Sequence, residues 1–304
     1  MKQILIDPSQ ERRILDLRQL GFRDVQVLGC YDYTNAKAPL PFHDHGEMIE
    51  ICHLASGQQF YRVENEEFLL NGGEVLVNYP HEQHGTGVQQ EGRGTLYWLI
   101  IKPPRLRDPF LGILPGVSNR LWKMLTSLPK RHFRVMPETR KILDDVFALL
   151  ESRLPFKRPL SETKAEDILL GLNVKNYLLR YLLDLIEAAG KETLPSVSRE
   201  IRLAVELIKK NDAEFQSMRA IAKAVFLSES CFKHRFKDEI GISPADYRLR
   251  HKIDLACRML LEGKSIIEIA YRLGFSSSQY FATVFRRYMG IAPAEYRATN
   301  SPKK

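Results

Sequence analysis

The sequence predicts an α+β protein of two domains, in which an N-terminal β-barrel with attached helices precedes an all-helical C-terminal domain. Its 304 residues leave room for about two domains of ~150 residues each. Short apolar runs of strand length fill the first part of the chain, and helical periodicity fills the rest. Hydrophobic residues make up 44% and charged residues 27%, which is typical of a folded globular protein and excludes fibrous and disordered classes.

The barrel is predicted within residues 1–135. Apolar or alternating runs recur at short intervals from residue 20 to residue 125, which predicts strands throughout that range. Gly57, Pro80 and Gly92 interrupt the runs and predict turns. Many short strands at this spacing are typical of a barrel or a jelly roll. The runs cover residues 25–28, 48–54, 59–63, 68–70, 74–77 and 96–101.

The region 136–190 is predicted to be helical, with helices over 139–154 and 162–189. Apolar positions in the second helix recur at spacings of four and three, as in a coiled-coil seam, so we expect it to join two copies in a homodimer. Packing of this helix on its own barrel is the alternative, and the two contacts can coexist. The seam comprises Ile168, Leu172, Lys175, Leu179, Leu182 and Ile186, and the apolar residues off the seam are Leu169, Leu178, Leu183 and Leu185.

A short polar segment that contains a proline, residues 191–198, is the predicted linker to a C-terminal domain at 199–298 and a tail at 299–304. Charge divides at nearly the same place. Residues 1–195 carry 25 basic and 25 acidic side chains, whereas residues 196–304 carry 20 and 12. The whole formal net charge of +8 therefore lies in the last third, which favours a polyanionic partner, nucleic acid before membrane.

The basic third contains an internal repeat, because residues 232–248 recur as residues 281–297, 49 positions later. Each copy predicts a helix-turn-helix, in which a support helix precedes a recognition helix. The support helices are expected at 218–226 and 266–273, and a long helix over 245–261 joins the two copies. Two such motifs in tandem within a basic region predict a DNA-binding domain.

Each predicted recognition helix has a buried face and an exposed polar face. The buried faces consist of Phe232, Phe236 and Ile240 in the first copy and Phe281, Phe285 and Met289 in the second. Ser228 and Ser277 are the predicted N-caps. Side chains near the N-terminal half of such a helix read base edges, and flanking cations hold phosphates. The candidate DNA contacts are Ser228, Ser230, Lys233, His234 and Lys237 in the first copy and Ser277, Ser278, Gln279, Thr283, Arg286 and Arg287 in the second.

The second copy carries a recurring set of residues: Ile269-Ala270, Gly274 to Ser276, Gln279 to Phe281, Phe285 to Arg287, Gly290, Pro293 and Tyr296-Arg297. This set resembles the C-terminal signature of the AraC/XylS family of bacterial transcription regulators, and the resemblance extends over residues 198–298. One departure is Phe226, which stands where the second copy has Gly274. The first turn is therefore expected to differ slightly from the second.

The resemblance implies two recognition helices that enter successive major-groove segments of double-stranded promoter DNA. It also implies contact with RNA polymerase, and activation in preference to pure repression. The N-terminal domain of such regulators is commonly a cupin-like sensor of a small-molecule effector. By analogy with the family, the base-reading positions are Ser230, Lys233, His234, Ser278, Gln279, Ala282 and Thr283.

Histidines cluster in the predicted barrel, where five of the eight lie between residues 43 and 84: His43, His45, His53, His81 and His84. The first two are predicted to share one face of a strand, and Glu50 follows shortly after them. This order of residues resembles the two metal motifs of the cupin barrel. Lys37 and Glu82 depart from those motifs, because each stands where a glycine is expected.

Three interpretations of the cluster are open. His43, His45, Glu50 and His84 could hold Zn, Fe, Mn or Ni, could line a small-molecule pocket, or could be structural only. We favour the pocket, with Tyr61 and Trp98 as aromatic walls and a hydroxylated effector such as a sugar. No cofactor is expected, and we expect substoichiometric metal in the purified protein because the missing glycines can displace the ligands.

An enzyme is not expected, since no nucleophile–base set, phosphate loop or dinucleotide fingerprint occurs in the sequence. The alternative is a metal-dependent cupin oxygenase or isomerase fused to a DNA-binding domain. A DNA-repair methyl acceptor would need a reactive cysteine, and Cys30 and Cys52 lack the cationic neighbours that lower a thiol pKa. The four widely spaced cysteines and the absence of a signal-peptide core predict a reduced cytoplasmic protein that associates with the nucleoid.

Overall fold

A computed structural model describes residues 11–87, 89–105, 109–154, 158–191, 197–210 and 217–300. Most of the predicted linker, residues 192–196, and residues 301–304 of the predicted tail lie outside the described residues. No helix in the described part of the chain has the length and apolar character that crossing a membrane requires.

The described chain begins with strands and ends with helices. The strands are β1 (Arg12–Asp16), β2 (Val25–Tyr33), β3 (Ile49–Val63), β4 (Glu66–Asn71), β5 (Glu74–Asn78), β6 (His84–Gly85), β7 (Gly94–Ile101) and β8 (His132–Arg134). The helices are α1 (Pro115–Thr126), α2 (Pro137–Glu151), α3 (Ala165–Gly190), α4 (Arg199–Lys210), α5 (Met218–Ala224), α6 (Glu229–Ile240), α7 (Pro244–Leu261), α8 (Ile266–Arg272), α9 (Ser278–Met289) and α10 (Pro293–Asn300).

Strand β3 organises the barrel because it belongs to both of its sheets. Its first half lies between β5 and β7 in the order β1-β2-β7-β3-β5-β8, and its second half pairs with β4 and β6. The predicted turn at Gly57 is wrong: residues 48–54 and 59–63 form one bent strand. The pairing with β7 shifts register between Leu54 and Ser56, and Gly57 takes a φ of +103°, so the glycine bends the strand without ending it.

Alternation along the strands separates two hydrophobic cores. Tyr31, Cys52 and Trp98 point into the barrel with their neighbours. The residues between them, such as Cys30 and Ile51, point outward and pack under helices α1 to α3. The barrel therefore keeps an interior of its own, whose walls are not shared with the helices.

The expectation of strands up to residue 125 is wrong for helix α1. Pro115 occupies the first turn of this helix, where its fixed φ favours a helical start. Leu121 and Leu125, four residues apart, are both buried against the barrel. The helices predicted at 139–154 and 162–189 are confirmed as α2 and α3 with slightly different ends.

Helix α3 packs on the barrel through Leu178, Leu182 and Leu185, which are fully buried. Leu182 therefore does not belong to an exposed seam, and Leu183, assigned to the barrel side, is 47% exposed. A straight helix drifts by ~20° per heptad relative to a 3.5-residue repeat, so a strict heptad stripe rotates into the core along this helix. The exposed apolar residues of α3 are Ile168, Leu169, Leu172 and Leu183.

The C-terminal domain contains two separate hydrophobic cores, one for each helix-turn-helix. The first lies among α4, α5 and α6 around Phe232 and Phe236. The second lies among α7 to α10 around Phe281 and Phe285. All four phenylalanines are fully buried, as the repeat predicts. Helix α7 touches both cores, since Tyr247 packs on the first while its later turns build the second.

Candidate effector cavity and nucleic-acid interface

The barrel interior encloses a cavity of about 40 Å³, room for one or two water molecules or an ion. Of the six predicted site residues, His43, His45, Glu50, Tyr61 and Trp98 line it, whereas His84 does not. Its remaining lining residues are Arg12, Tyr31, Leu40, Cys52, Glu91, Leu96 and Ile100. The sequence therefore predicts most of the polar cluster and its aromatic neighbours, but not Arg12 and Glu91, the two charged residues that also line the cavity.

Three histidines and a carboxylate converge at one end of this cavity. One donor atom from each of His43, His45, Glu50 and His84 lies within 4.8 Å of the others. His43 and His45 were predicted on a strand, but they lie in the segment before β3. They reach the site because His43 forms an isolated bridge with His84, with N–O distances of 3.0 and 2.9 Å. We call these four residues the tetrad.

Backbone carbonyls set the tautomers of two tetrad histidines. Nδ1 of His43 lies 2.9 Å from the carbonyl oxygen of Pro41, and Nδ1 of His84 lies 3.0 Å from that of Glu82. A carbonyl oxygen can only accept, so each Nδ1 carries the hydrogen and each Nε2 is directed away from the backbone. The same arrangement orients imidazole ligands at metal centres.

Glu50 provides the negative charge at the centre of the tetrad. Its Oε2 lies 2.9 Å from Nε2 of His84, and its Oε1 lies 3.5 Å from Nε2 of His45. Asn78 donates from Nδ2 to Oε2 at 2.9 Å. Burial favours the neutral acid, but the two histidines outweigh it and hold the pKa of Glu50 well below its usual range. Burial lowers the pKa of His84, yet Glu50 reverses this and raises it overall.

The tetrad fits a divalent cation. Three imidazoles and one carboxylate are the donors that Zn, Fe, Mn and Ni accept. The two departures from the motif glycines do not separate the ligands, because both replacements are anchored. Lys37 pairs with Glu11, and Glu82 accepts two hydrogen bonds from Arg131 at 2.8 and 2.7 Å. A cation held here would supply Lewis acidity towards an oxygen of a bound molecule.

Another part of the cavity wall contains an ion pair that stacks on an aromatic ring. Arg12 lies 3.4 Å from Glu91, and its guanidinium stacks 4.9 Å above the indole of Trp98. The indole lies against Gly29, where any Cβ would collide with the ring. Arg12 comes from β1, which has no strong strand pattern, and Glu91 from a loop. No spacing in the sequence could have connected them.

Four hydrogen bonds fasten the segment above the cavity. Leu40 accepts from the backbone of Thr86 at 3.0 Å and donates to its hydroxyl at 2.7 Å. The His43–His84 bridge provides the other two. Leu40 and His43 both line the cavity, so residues 40–43 form part of its wall, and we call this segment the flap.

Two of the five clustered histidines lie outside the site. His53 packs on the outer side of the sheet, where Tyr181 of α3 lies 3.2 Å from its Nδ1. Burial, with a smaller contribution from Arg140, lowers the pKa of His53 to about 3. His81 lies exposed in a loop at a φ of +66°. Burial therefore keeps His53 neutral and hydrogen-bonded on the outer side of the sheet.

The predicted serine caps start both recognition helices. Ser228 accepts from the backbone of Cys231 at the start of α6, and Ser277 accepts from that of Tyr280 at the start of α9. Each helix has 12 residues and ends at a glycine with a positive φ, Gly241 or Gly290. The two helices are structural repeats of each other, as the sequence repeat predicts.

The predicted contact residues lie on the outer faces of α6 and α9. Those exposed are Ser228, Ser230, Lys233, His234, Lys237, Ser277, Gln279, Thr283, Arg286 and Arg287, whereas Ser278 and Ala282 are partly buried. Lys233 pairs with Glu229 at 2.6 Å, and His234 pairs with Asp238 at 2.7 Å. Such exposed pairs contribute little to stability, so a phosphate or a base can replace either carboxylate.

The two turns that precede the recognition helices share one backbone shape. Phe226 has a φ of +58° and Gly274 a φ of +66°. The expected difference between the turns is therefore wrong, because Phe226 adopts the left-handed conformation that a glycine takes more easily. Its ring is 94% exposed, so side-chain burial does not compensate for this conformation.

Comparison with known families and proteins gives consistent matches at both ends of the chain. The family model of the AraC-like ligand binding domain matches residues 30–169, and that of a helix-turn-helix domain matches residues 221–299. The transcriptional activator RhaS of Escherichia coli is 24% identical over 262 residues, 86% of this chain and 88% of RhaS. These matches favour a regulator over the cupin enzyme.

Solved structures show similar chains. The C-terminal domain of AraT, a response regulator from Geobacillus stearothermophilus, is 28% identical with a TM-score of 0.34, over 36% of this chain and 92% of that one. ToxT from Vibrio cholerae is 15% identical with a TM-score of 0.33, over 91% of this chain and 98% of that one. The assignment rests on the two family models and on RhaS: the chain belongs to the AraC/XylS family of transcription regulators, with a ligand-binding domain followed by a helix-turn-helix DNA-binding domain.

Proposed function

We propose that this protein activates transcription when a small hydroxylated molecule binds inside the barrel, and that it does so as a cytoplasmic homodimer. The protein is not an enzyme in this proposal. Helices α6 and α9 bind successive major-groove segments of promoter DNA, and the bound protein contacts RNA polymerase. Family membership supports effector-dependent DNA binding, and the name of RhaS supports activation.

One observation carries the assignment of the effector site to the barrel. Within the described residues, six buried side-chain polar atoms have no hydrogen-bond partner. Two of them, Arg12 Nε and His45 Nε2, belong to residues that line the cavity. An unpartnered buried polar atom costs ~1–3 kcal/mol. A molecule that accepts a hydrogen bond from Arg12 Nε, and a molecule or an ion that binds His45 Nε2, recovers that cost.

A sugar needs more room than the described cavity offers. Small-molecule pockets have volumes of ~300–1,000 Å³, whereas this one has about 40 Å³. The structure therefore supports a closed form, and the flap at residues 40–43 has to open for an effector of that size. In the opened pocket, the Arg12–Glu91 pair and the tetrad would bind hydroxyls from opposite sides, and Trp98 would cover an apolar face of the ring.

On the DNA side, we assign base reading to the N-terminal halves of α6 and α9. Ser230, Lys233 and His234 occupy that half in the first helix, and Gln279 and Thr283 occupy it in the second. Phosphate contacts are assigned to Lys237, Arg286 and Arg287, together with the first-turn backbone amides of α6 and α9 that the Ser228 and Ser277 hydroxyls do not cap. Helix N-termini attract phosphate through their unpaired amides.

The dimer contact is assigned to the exposed stripe of α3. Ile168, Leu172, Leu179 and Leu183 follow one another at steps of four, seven and four residues, and three of them are at least 40% exposed. Two such stripes packed together would bury apolar surface that the monomer leaves in water. Lys175 lies beside the stripe and is the polar interruption that the sequence predicted.

The effector site can be tested with a panel of aldoses, ketoses and sugar alcohols. The thermal unfolding temperature of the full chain should rise when one or more of these sugars are added, and it should not rise in His45→Ala. His81→Ala is the matched control, because His81 is exposed outside the cavity. A sugar that stabilises both variants equally binds elsewhere and would contradict this assignment. Promoter DNA selected from a random library then shows whether the same sugar changes DNA affinity.

A further inference from the structure

We propose that Arg93 is a positioning residue that holds the two helix-turn-helix units in one relative orientation, so that both recognition helices engage DNA together. This inference rests on the proposed tandem binding of α6 and α9, and adds what aligns them. Arg93 lies in the barrel domain, immediately before β7. No pattern in the sequence distinguishes it from other surface arginines.

The units need alignment because their cores are separate. Phe232 and Phe236 centre one core and Phe281 and Phe285 the other. Helix α7 contacts both, through Tyr247 near its start and Ile253 further along. A single shared helix leaves the relative rotation of two small cores weakly defined, so an additional contact that spans both units has a large effect.

Arg93 makes such a spanning contact. Its NH1 donates to Oδ1 of Asp246 at 2.6 Å and to the hydroxyl of Tyr288 at 2.9 Å. Asp246 lies in the first turn of α7, and Tyr288 lies in the last turn of α9. The Tyr288 hydroxyl also donates to Asp246. Asp246 precedes Tyr247, which packs on the first core, and Tyr288 packs on the second, so one guanidinium closes a triangle between the two units.

Arg250 secures the same triangle from the helical side. Its Nε donates to Oδ2 of Asp246 at 3.2 Å, and its NH2 donates to the carbonyl oxygen of Arg93 at 3.3 Å. Both guanidinium groups lie over the ring of Tyr288, at 5.2 and 5.5 Å from its centre. The side chains of Arg93, Asp246 and Arg250 are 24%, 18% and 11% exposed. This partial burial strengthens the charged contacts relative to an exposed surface pair.

The barrel also touches the C-terminal end of each recognition helix. Gly241, which ends α6, lies directly against Gly72 of the β4–β5 turn, and Gly290, which ends α9, lies against Gln90. The backbone amide of Ala36 donates to the carbonyl of Arg287 at 3.1 Å. These contacts leave the N-terminal halves exposed, so the barrel positions the recognition helices and does not cover them.

A short stretch of backbone links Arg93, which contacts Asp246 and Tyr288, to the cavity. Glu91 lines the cavity, and Arg93 follows two residues later. The residue between them, Gly92, donates its amide to Oε1 of Gln59 at 2.6 Å and has no room for a Cβ. The tight packing of Gly92 couples the backbone of Glu91 to that of Arg93. An effector that displaces Glu91 from Arg12 therefore also displaces the Arg93 guanidinium.

The test compares two DNA duplexes bound by the full chain. One is a selected high-affinity site, and the other is the same site with the segment contacted by the second unit scrambled. The affinity ratio of the two measures how well both units act together. We expect Arg93→Met to reduce this ratio at least tenfold and Arg93→Lys to give an intermediate value. The control Arg62→Met, on an exposed face of β3, should match the wild type.

An unchanged affinity ratio in Arg93→Met would overturn the proposal. If the ratio is unchanged because both duplexes bind more tightly by the same factor, the contact instead blocks DNA binding. If Arg93→Met fails to fold, Tyr288→Phe removes the two hydrogen bonds of the triangle that involve its hydroxyl and is judged by the same ratio. A wild-type protein that binds both duplexes equally would instead contradict tandem binding itself, so the two failures are distinguishable.

Discussion

Phe226 and Gly274 occupy equivalent turns with nearly the same left-handed backbone, at φ values of +58° and +66°. A left-handed conformation costs a residue with a Cβ ~1–2 kcal/mol. Because the Phe226 ring is 94% exposed, Phe226→Gly should lose no packing and should stabilise the first unit by about 0.5–1 kcal/mol. Denaturant unfolding of the full chain measures this change. Gly274→Ala should be destabilising by a similar amount, and a neutral result for both would remove the strain argument.

Base-reading and phosphate-binding residues should respond differently to substitution. Lys233→Ala and Gln279→Ala should each lower discrimination against scrambled DNA by ~1–3 kcal/mol. Arg286→Ala should weaken binding to all sequences and reduce the slope of log K against log salt by roughly 0.9. Competition binding at several salt concentrations separates these effects. If Lys233→Ala weakens specific and scrambled DNA equally, Lys233 is a phosphate contact.

Substitutions on the exposed and the buried face of α3 should distinguish loss of dimerisation from loss of folding. Leu172→Asp combined with Leu183→Asp should give a folded monomer, because both side chains are exposed. Leu182→Asp should instead unfold the sensor domain, since Leu182 is fully buried and an unpaired buried charge is costly. Sedimentation and circular dichroism distinguish the outcomes. A double variant that remains dimeric would locate the contact elsewhere.

The tetrad allows a direct test of metal binding. Substoichiometric metal was expected because two motif glycines are missing, but the four donor atoms nevertheless lie within 4.8 Å of one another. We now expect added Zn²⁺ to bind at one site per chain and to raise the unfolding temperature. His84→Ala should abolish both effects and His81→Ala neither. Zinc binding that survives His84→Ala would exclude the tetrad as the site.

The pH dependence of stability should report on His53. Its pKa falls from 6.5 to about 3 on folding, so the folded protein requires the neutral ring. The unfolded chain then binds more protons below pH 6.5, and stability is lost as the pH falls from there towards 3. At ~1.36 kcal/mol per pKa unit, the loss is about 2 kcal/mol by pH 5. His53→Gln should flatten the stability profile in that range, and His81→Gln should leave it unchanged.

The sequence predicted those elements whose patterns are local. The paired helix-turn-helices follow from a repeat of phenylalanines and serine caps, and their structure matches closely. Helix α3 was found, but its exposed face was misjudged because a heptad rule is not the period of a straight helix. Strand β3 was divided at Gly57, since a glycine that bends a strand and one that ends it look the same in sequence.

The residues of the candidate site also divide into those that a local sequence pattern predicts and those that depend on distant parts of the chain. His43, His45, Glu50 and His84 could be found because a recurrent order of ligands lies within a short stretch of chain. Arg12, Glu91 and Arg93 could not be found, because their roles depend on residues 79 to 195 positions away. Tertiary contacts between charged side chains leave no periodic pattern in a sequence. The Arg12–Glu91 pair and the contacts of Arg93 with the helical domain could therefore be found only in the structure.

The flap at residues 40–43 also has a consequence for the speed of the response. Four hydrogen bonds close it over a cavity too small for a sugar. If binding waits for the flap, the observed association rate rises with effector concentration only until it equals the rate of flap opening. Such openings take microseconds to seconds. Above that effector concentration, the association rate no longer increases. Thr86→Val, which removes the hydrogen bond from the Leu40 amide, should raise this maximal rate without altering the groups that recognise the ligand.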